Sequence, residues 1–153
     1  MTQTGSPLDL RQQVSDCSQA VIEGCDGFIL SHETSCGEHS TEATILLAKA
    51  IAEAENVYDH EQVFQDLRKD QIERGNKGSC LDMLCSTATQ IALDNNVDLF
   101  VCLTETGNIA RALAKQRPMQ TILACSTLPQ VVRQMNSSRG VVGYKVPAHI
   151  KNH

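Results

Sequence analysis

The stretch DLFVCLTETGNIARALAKQRPMQTILACS, residues 98–126, decides how this chain folds. It opens on an apolar run, LFVCLT, and breaks at ETGN, where a glycine sits among polar residues. Helical spacing then holds from Ile109 to Gln116, Pro118 stops it, and TILACS forms a second apolar run. Two buried strands joined by a helix require a crossover connection, which is right-handed and makes the strands parallel. Outward toward the C-terminus, a short helix around Pro129–Met135 leads into a third strand, GVVGYKV, residues 140–146. Outward toward the N-terminus, a helix from Ser79 to Asp94 carries Leu81, Leu84, Ala88 and Ile91 on one side. The expected fold is therefore α/β, a small three-layer domain with a parallel sheet of about three strands flanked by helices.

The clearest break lies at ERGNKGS, residues 73–79, and places a boundary between residues 11–74 and 75–153. Residues 1–10 read as a mobile lead. A helix is expected from Leu10 to Glu23, with Val14, Cys17, Ala20 and Val21 on one face and Gly24 ending it. DGFILS, residues 26–31, reads as a short buried strand. Ser40 is placed to cap a helix from Thr41 to about Asn56, striped by Ala43, Leu46, Leu47, Ala50, Ile51 and Ala54. Asp59 can cap one further long helix, with Val63, Phe64 and Leu67 as its apolar face.

With no Trp, two Tyr and three Phe in 153 residues, the core must be aliphatic. The net charge of −5, and basic residues interrupted by acidic or neutral ones in RKDQIER and AKQRP, argue against nucleic acid as a partner. No apolar run approaches the roughly 18 to 20 residues of a membrane span. The first residues, MTQTGSPLDL, lack the charged start and apolar core of a signal peptide, so a cytoplasmic protein is expected. The seven cysteines are odd in number and form no Cys-x-x-Cys, which fits reduced structural thiols better than a metal site or disulfides.

The chemistry-bearing stretch is ILSHETSCGEHSTEAT, residues 29–44, a polar loop between a strand and a helix. His32, Glu33 and Cys36 suggest a nucleophile set, but no oxyanion donor is identifiable. His32, Glu38 and His39 suggest a metal site, but their spacing fits no ligand pattern. Ser31 and Glu33 read more simply as residues that cap or brace the loop.

These segments together resemble pyruvate kinase. RQQVSDCSQAVIEGCDGFILSHETSCGEHSTEAT is similar to a family stretch centred on MLSGETA, and DLFVCLTETGNIARALAKQRP to one reading LTxSGRSA and then YRP, over about residues 11–146. The resemblance implies that DGFILS is the last strand of a (β/α)8 barrel, that residues 11–74 are its end with long linking helices, and that residues 75–153 are part of the C-terminal α/β domain. The remaining barrel strands would be missing, and with them the catalytic lysine, the phosphate-binding arginine and the ligands of the Mg²⁺ and K⁺ that the family uses. Of the family's catalytic motifs, Arg11, Ser31, Glu33 and Thr34 match. Leu10, Gln13, His32 and Cys36 replace a Thr, a Glu, a Gly and a Lys. In the effector-phosphate loop Thr104, Thr106 and Gly107 match, while Asn108 and Ile109 replace Arg and Ser, and Glu105 adds negative charge. The resemblance implies a non-catalytic, cofactor-free subunit, structural or interacting, of a larger intracellular assembly. Two alternatives are a kinase fragment that converts phosphoenolpyruvate and ADP only with the missing barrel, and a regulator docking on pyruvate kinase subunits through helix 127–135 and strand 140–146.

Overall fold

The computed structural model describes residues 7–73, 75 and 78–147, with the side chains of residues 7–10 and 33 left outside. It divides into two compact units, residues 1–58 and 59–153. The division falls sixteen residues before the boundary expected at 74/75, so the second of the linking helices goes with the α/β unit.

In the first unit, α1 runs over Pro7–Ile22, α2 over His32–Ser35 and α3 over Ser40–Asn56. α1 begins at Pro7 because proline's fixed φ suits the first helical position, where its missing N–H costs nothing. Residues 7–10, expected within the mobile lead, are therefore helical; residues 1–6 lie outside the described residues. The helix ends as expected at Gly24, whose φ of +91° lets the Cys25 N–H donate to Ala20 O at 3.0 Å. α1 packs along α3, and Val21, Leu47, Ala50 and Ala54 are buried. Ser40 lies inside α3 rather than before it, with His39 at the N-cap position.

DGFILS is not a strand. Residues 26–31 take no regular structure, and Ile29 is 99% exposed. A β-strand is a set of hydrogen bonds to neighbours, and the apolar pattern by itself supplies none.

In the second unit, α4 covers His60–Glu73, α5 Cys80–Asp94, β1 Leu99–Leu103, α6 Asn108–Ala114, β2 Thr121–Ser126, α7 Pro129–Met135 and β3 Val141–Lys145. Asp59 caps α4 through the Gln62 N–H at 2.9 Å. Phe64 of α4 is buried, and the Arg68 guanidinium donates to Gln90 of α5 at 3.1 Å. A reciprocal capping box starts α5: Ser79 Oγ accepts from the Asp82 N–H at 3.1 Å, and the Asp82 carboxylate accepts from the Ser79 N–H at 3.1 Å.

The sheet is parallel with order β1-β2-β3, in the register Leu99↔Thr121 and Ile122↔Val141. The core gathers Cys85, Cys102, Ala110, Leu113, Ile122, Ala124, Val131, Met135 and Val141. Two successive right-handed crossovers that advance in one direction leave α6 and α7 on the same side of the sheet. Leu99, Val101 and Leu103 of β1 and Val142 and Tyr144 of β3 are exposed on the other. The sheet is the short three-stranded parallel sheet with flanking helices that was expected.

Candidate functional site

Two loops carry the residues singled out from the sequence, one in each unit. In the first, α2 is a single turn. Ser31 holds its N-cap position with extended backbone, φ −82° and ψ 178°, but its side chain makes no capping bond. Its carbonyl does the bracing, accepting from the N–H groups of Thr34 at 3.1 Å and Ser35 at 3.2 Å. The Ser31 side chain is exposed, whereas Thr34 is 5% exposed and turns inward. Arg11 is exposed on α1, and the Glu33 side chain lies outside the described residues.

Cys36 Sγ lies 3.3 Å from His32 Nδ1, one helical turn apart and both at the surface. This pair is the part of the suggested nucleophile set that the fold brings together. His39 leans toward Glu42, with Nδ1 to Oε2 at 3.9 Å, so His32, Glu38 and His39 do not converge. Among the described residues, no three His, Cys, Asp or Glu side chains are grouped to hold a metal ion.

The second loop joins β1 to α6 at the carboxyl end of the sheet, where open parallel sheets present their ligand crevices. Thr104 is buried, and its Oγ1 accepts the Gly107 N–H at 2.8 Å. Gly107 takes φ +82°, and a Cβ there would meet Met135 Cε at 2.3 Å. The turn thus needs glycine for its backbone and for the side chain packed over it. The Arg111 guanidinium reaches back to Thr106 O at 2.8 Å and Asn108 Oδ1 at 3.3 Å. Thr104, Thr106 and Gly107 are brought together, but the Gly107 N–H that would greet an anion is already engaged by Thr104. Arg111 was not singled out from the sequence. Its place one turn after Gly107 on a predicted helix was the available signal. Beside this turn lies a pocket of about 190 Å³ lined by Leu103, Thr104, Glu105, Cys125, Ser126 and Val146.

All seven cysteines are free thiols. Burial pushes the Cys85 thiol up, helped by the charge of Asp82, and burial likewise raises Cys102. Both stay protonated at neutral pH and behave as small apolar side chains rather than nucleophiles.

The second unit is thus a parallel α/β domain of the open-sheet class, with a threonine-locked glycine turn at the carboxyl end of its first strand. Residues 82–152 match the family described as the pyruvate kinase alpha/beta domain. The chain is 33% identical over 144 residues to a pyruvate kinase of Eimeria tenella, covering 94% of this chain and 27% of that protein. It is 32% identical to the pyruvate kinase of Dictyostelium discoideum, covering 92% and 28%. A crystal structure of a pyruvate kinase from Cryptosporidium parvum superposes with a TM-score of 0.82 at 30% identity, over 92% of this chain and 28% of that one. The chain belongs to the pyruvate kinase family, and it spans a little over a quarter of the length of these relatives.

Proposed function

We propose that this chain works by docking in a larger protein assembly, and that it does not itself transfer phosphoryl groups or use Mg²⁺ or K⁺. The observation that carries this reading is the state of the retained catalytic motif. The segment leading into it takes no regular structure, with Ile29 99% exposed, and Ser31 faces solvent while Thr34 turns away from it. Phosphoryl transfer needs cations and carboxylates held around one phosphate. Here Arg11 and Ser31 are exposed and Thr34 is buried. The locked turn at Thr104, Thr106 and Gly107 argues in the same direction for the effector loop. The reading is of a cytoplasmic protein; among the described residues no helix is long and apolar enough to cross a membrane.

The test is an assay of phosphoenolpyruvate and ADP conversion by the purified chain, run beside native recovery of the tagged chain from its own cells. We expect no turnover above buffer and stoichiometric recovery with other proteins; turnover by the chain alone would overturn the reading.

A second reading has its own observation. Segment 26–31, apolar and without regular structure, is followed by Ser31, Glu33 and Thr34 in the family's order, as a segment that becomes a strand in a barrel supplied by another polypeptide would be. Activity absent alone but restored by an N-terminal pyruvate kinase fragment would favour it. Docking on pyruvate kinase subunits through α7 and β3 is the third form, and Arg133→Glu should weaken it.

A further inference from the structure

The seven free thiols stand in different surroundings. Cys85, Cys102 and Cys125 are buried and Cys17 and Cys25 half-buried, while Cys36 and Cys80 lie at the surface. Cys80 is the first residue of α5, the end of a helix that favours negative charge on a thiol. Cys36 closes α2 at the opposite end, where the helix carbonyls disfavour it. Helix position alone therefore makes Cys80 the better nucleophile. A neighbouring side chain reverses that order. Cys36 Sγ lies 3.3 Å from His32 Nδ1, and among the described residues Cys80 makes no such bond. The pairing is built within one turn. The Cys36 N–H and the Ser35 hydroxyl each donate to His32 O at 3.0 Å, which holds thiol and ring on the same side of the helix. Thr34, between them in sequence, turns inward and is buried. Because these contacts span four residues, the pair does not depend on what adjoins the described chain. Were residues 26–31 to become a barrel strand, the loop would follow its carboxyl end, the face at which such barrels admit small molecules.

We propose that Cys36 is a site of reversible thiolation by small-molecule disulfides, with His32 as its base. A neutral ring carrying its proton on Nε2 leaves Nδ1 to accept the proton of the thiol. As that proton passes to Nδ1, Sγ attacks one sulfur of the disulfide. The bond from Cys36 Sγ to that sulfur forms while the disulfide's own S–S bond breaks. The departing thiolate takes the proton back from the His32 imidazolium. The products are a mixed disulfide at Cys36, one small thiol and neutral His32, and an excess of small thiol runs the same steps backward. His32 and Cys36 stand where the family carries Gly and Lys, so both members of the pair are particular to this chain's version of the loop. The site does not rest on the docking function proposed above: kinase turnover would leave it standing.

Incubation of the full chain with glutathione disulfide at neutral pH, with the modified cysteines mapped by peptide mass over time, tests it. The expected result is thiolation of Cys36 ahead of Cys80, against the order that helix position sets. His32→Gln should slow the reaction at Cys36 by roughly ten-fold or more, the loss of a positioned base, and leave Cys80 as it was, so that Cys80 becomes the first residue modified. Cys17 and Cys25, half-buried in the same unit as the pair, report its fold, and their rates should not change in the variant. His32→Gly, which restores the family's residue, should slow Cys36 in the same way. Thiolation of Cys80 ahead of Cys36 in the unaltered chain, or His32 variants in which Cys36 reacts as fast as before, would each overturn the proposal.

Discussion

Replacing Gly143 by alanine should strongly destabilise the second unit. A Cβ on Gly143 would stand 2.2 Å from Val132 O and 3.0 Å from Val132 C. Both are backbone atoms of α7, so no side-chain rotation can relieve the overlap. The helix must retreat by about 1 Å to restore a normal carbon–oxygen contact, which loosens Val131 and Met135, both buried against the sheet. Overpacking of this kind costs about 1–3 kcal/mol. The retreat also stretches the 2.8 Å bond from the Gly143 N–H to Asn136 Oδ1, worth about 0.5–1.5 kcal/mol. The expected loss is about 2–4 kcal/mol, a large share of a domain's stability. Native-state hydrogen exchange at Ile122 and Ala124 reads it directly, as protection roughly 30- to 1,000-fold lower.

Two other glycines calibrate the effect. Gly140 has φ +74° and nothing within 4 Å of where a Cβ would stand, so Gly140→Ala costs only the left-handed backbone penalty, about 1–2 kcal/mol. Gly27 has neither positive φ nor a neighbour, and alanine there should be neutral or slightly stabilising. If Gly143→Ala costs no more than Gly140→Ala, the close approach of α7 to β3 is not real and the expected loss is refuted.

Thr104→Val keeps the shape of the side chain but removes the acceptor for the Gly107 N–H; urea unfolding should show a loss of about 1–3 kcal/mol that Thr104→Ser largely avoids. Ser79→Ala should cost about 1 kcal/mol by opening the capping box of α5, measured the same way. Hydrogen bonds from Ser79, side chain first and then backbone, with a smaller contribution from Lys115, hold the Asp82 carboxyl below its ordinary value of 3.8. In acid the unfolded chain therefore binds this proton first, so the contribution is present above pH 3.8 and fades as pH falls through the lower folded value. Asp82→Asn should flatten that part of the acid-unfolding curve. The raised thiols of Cys85 and Cys102 act at the other end: they ionise near 9.0 in the unfolded chain but remain protonated in the fold. Stability should therefore fall as pH rises above about 9, and the Cys85→Ala, Cys102→Ala double variant should show a shallower slope.

The α/β unit was legible because each of its elements is set locally. LFVCL, Gly107, Pro118 and TILACS specify strand, turn, helix stop and strand without reference to distant residues, and the observed ends differ from the expected ones by one or two positions. Phe64 was legible as a core residue for the same reason, lying on the apolar face of a well-capped helix. The exposure of Leu99, Val101, Leu103, Val142 and Tyr144 was not legible, because which face of a strand is covered depends on where the helices pack and not on the strand's own pattern. The division into compact units follows tertiary contacts that the chain break does not report: ERGNKGS interrupts the pattern, while α4 groups with the α/β unit beyond it, with Phe64 buried and Arg68 bonded to Gln90. At the site, the residue types and turn could be read from the sequence, whereas the partner of the Gly107 N–H could not, because Thr104 side-chain direction follows from its burial in the finished sheet.

The contrast between the two family motifs in this chain has one physical root. The turn at Thr104–Gly107 is assembled from contacts only a few residues apart, so it keeps its shape wherever β1 and α6 form. The loop at Ser31–Thr34 belongs to a strand, and a strand is defined by what lies beside it. Without a neighbour, residues 26–31 keep the apolar composition of a strand while Ile29 stands almost wholly in solvent. The same logic applies to LFVCL, which pairs on one side and is open on the other. Residues 26–31 and the β1 edge are therefore two places where an apolar segment has no strand beside it among the described residues. A strand binding at one need not bind at the other. Among the described residues, 26–31 have no strand neighbour on either side and could be flanked on both, as in a barrel, whereas β1 already has β2 and accepts one strand only. Ile29→Lys should therefore block any barrel fragment from restoring phosphoenolpyruvate conversion, whereas Val101→Lys, on the bare face of the sheet, should leave that restoration intact.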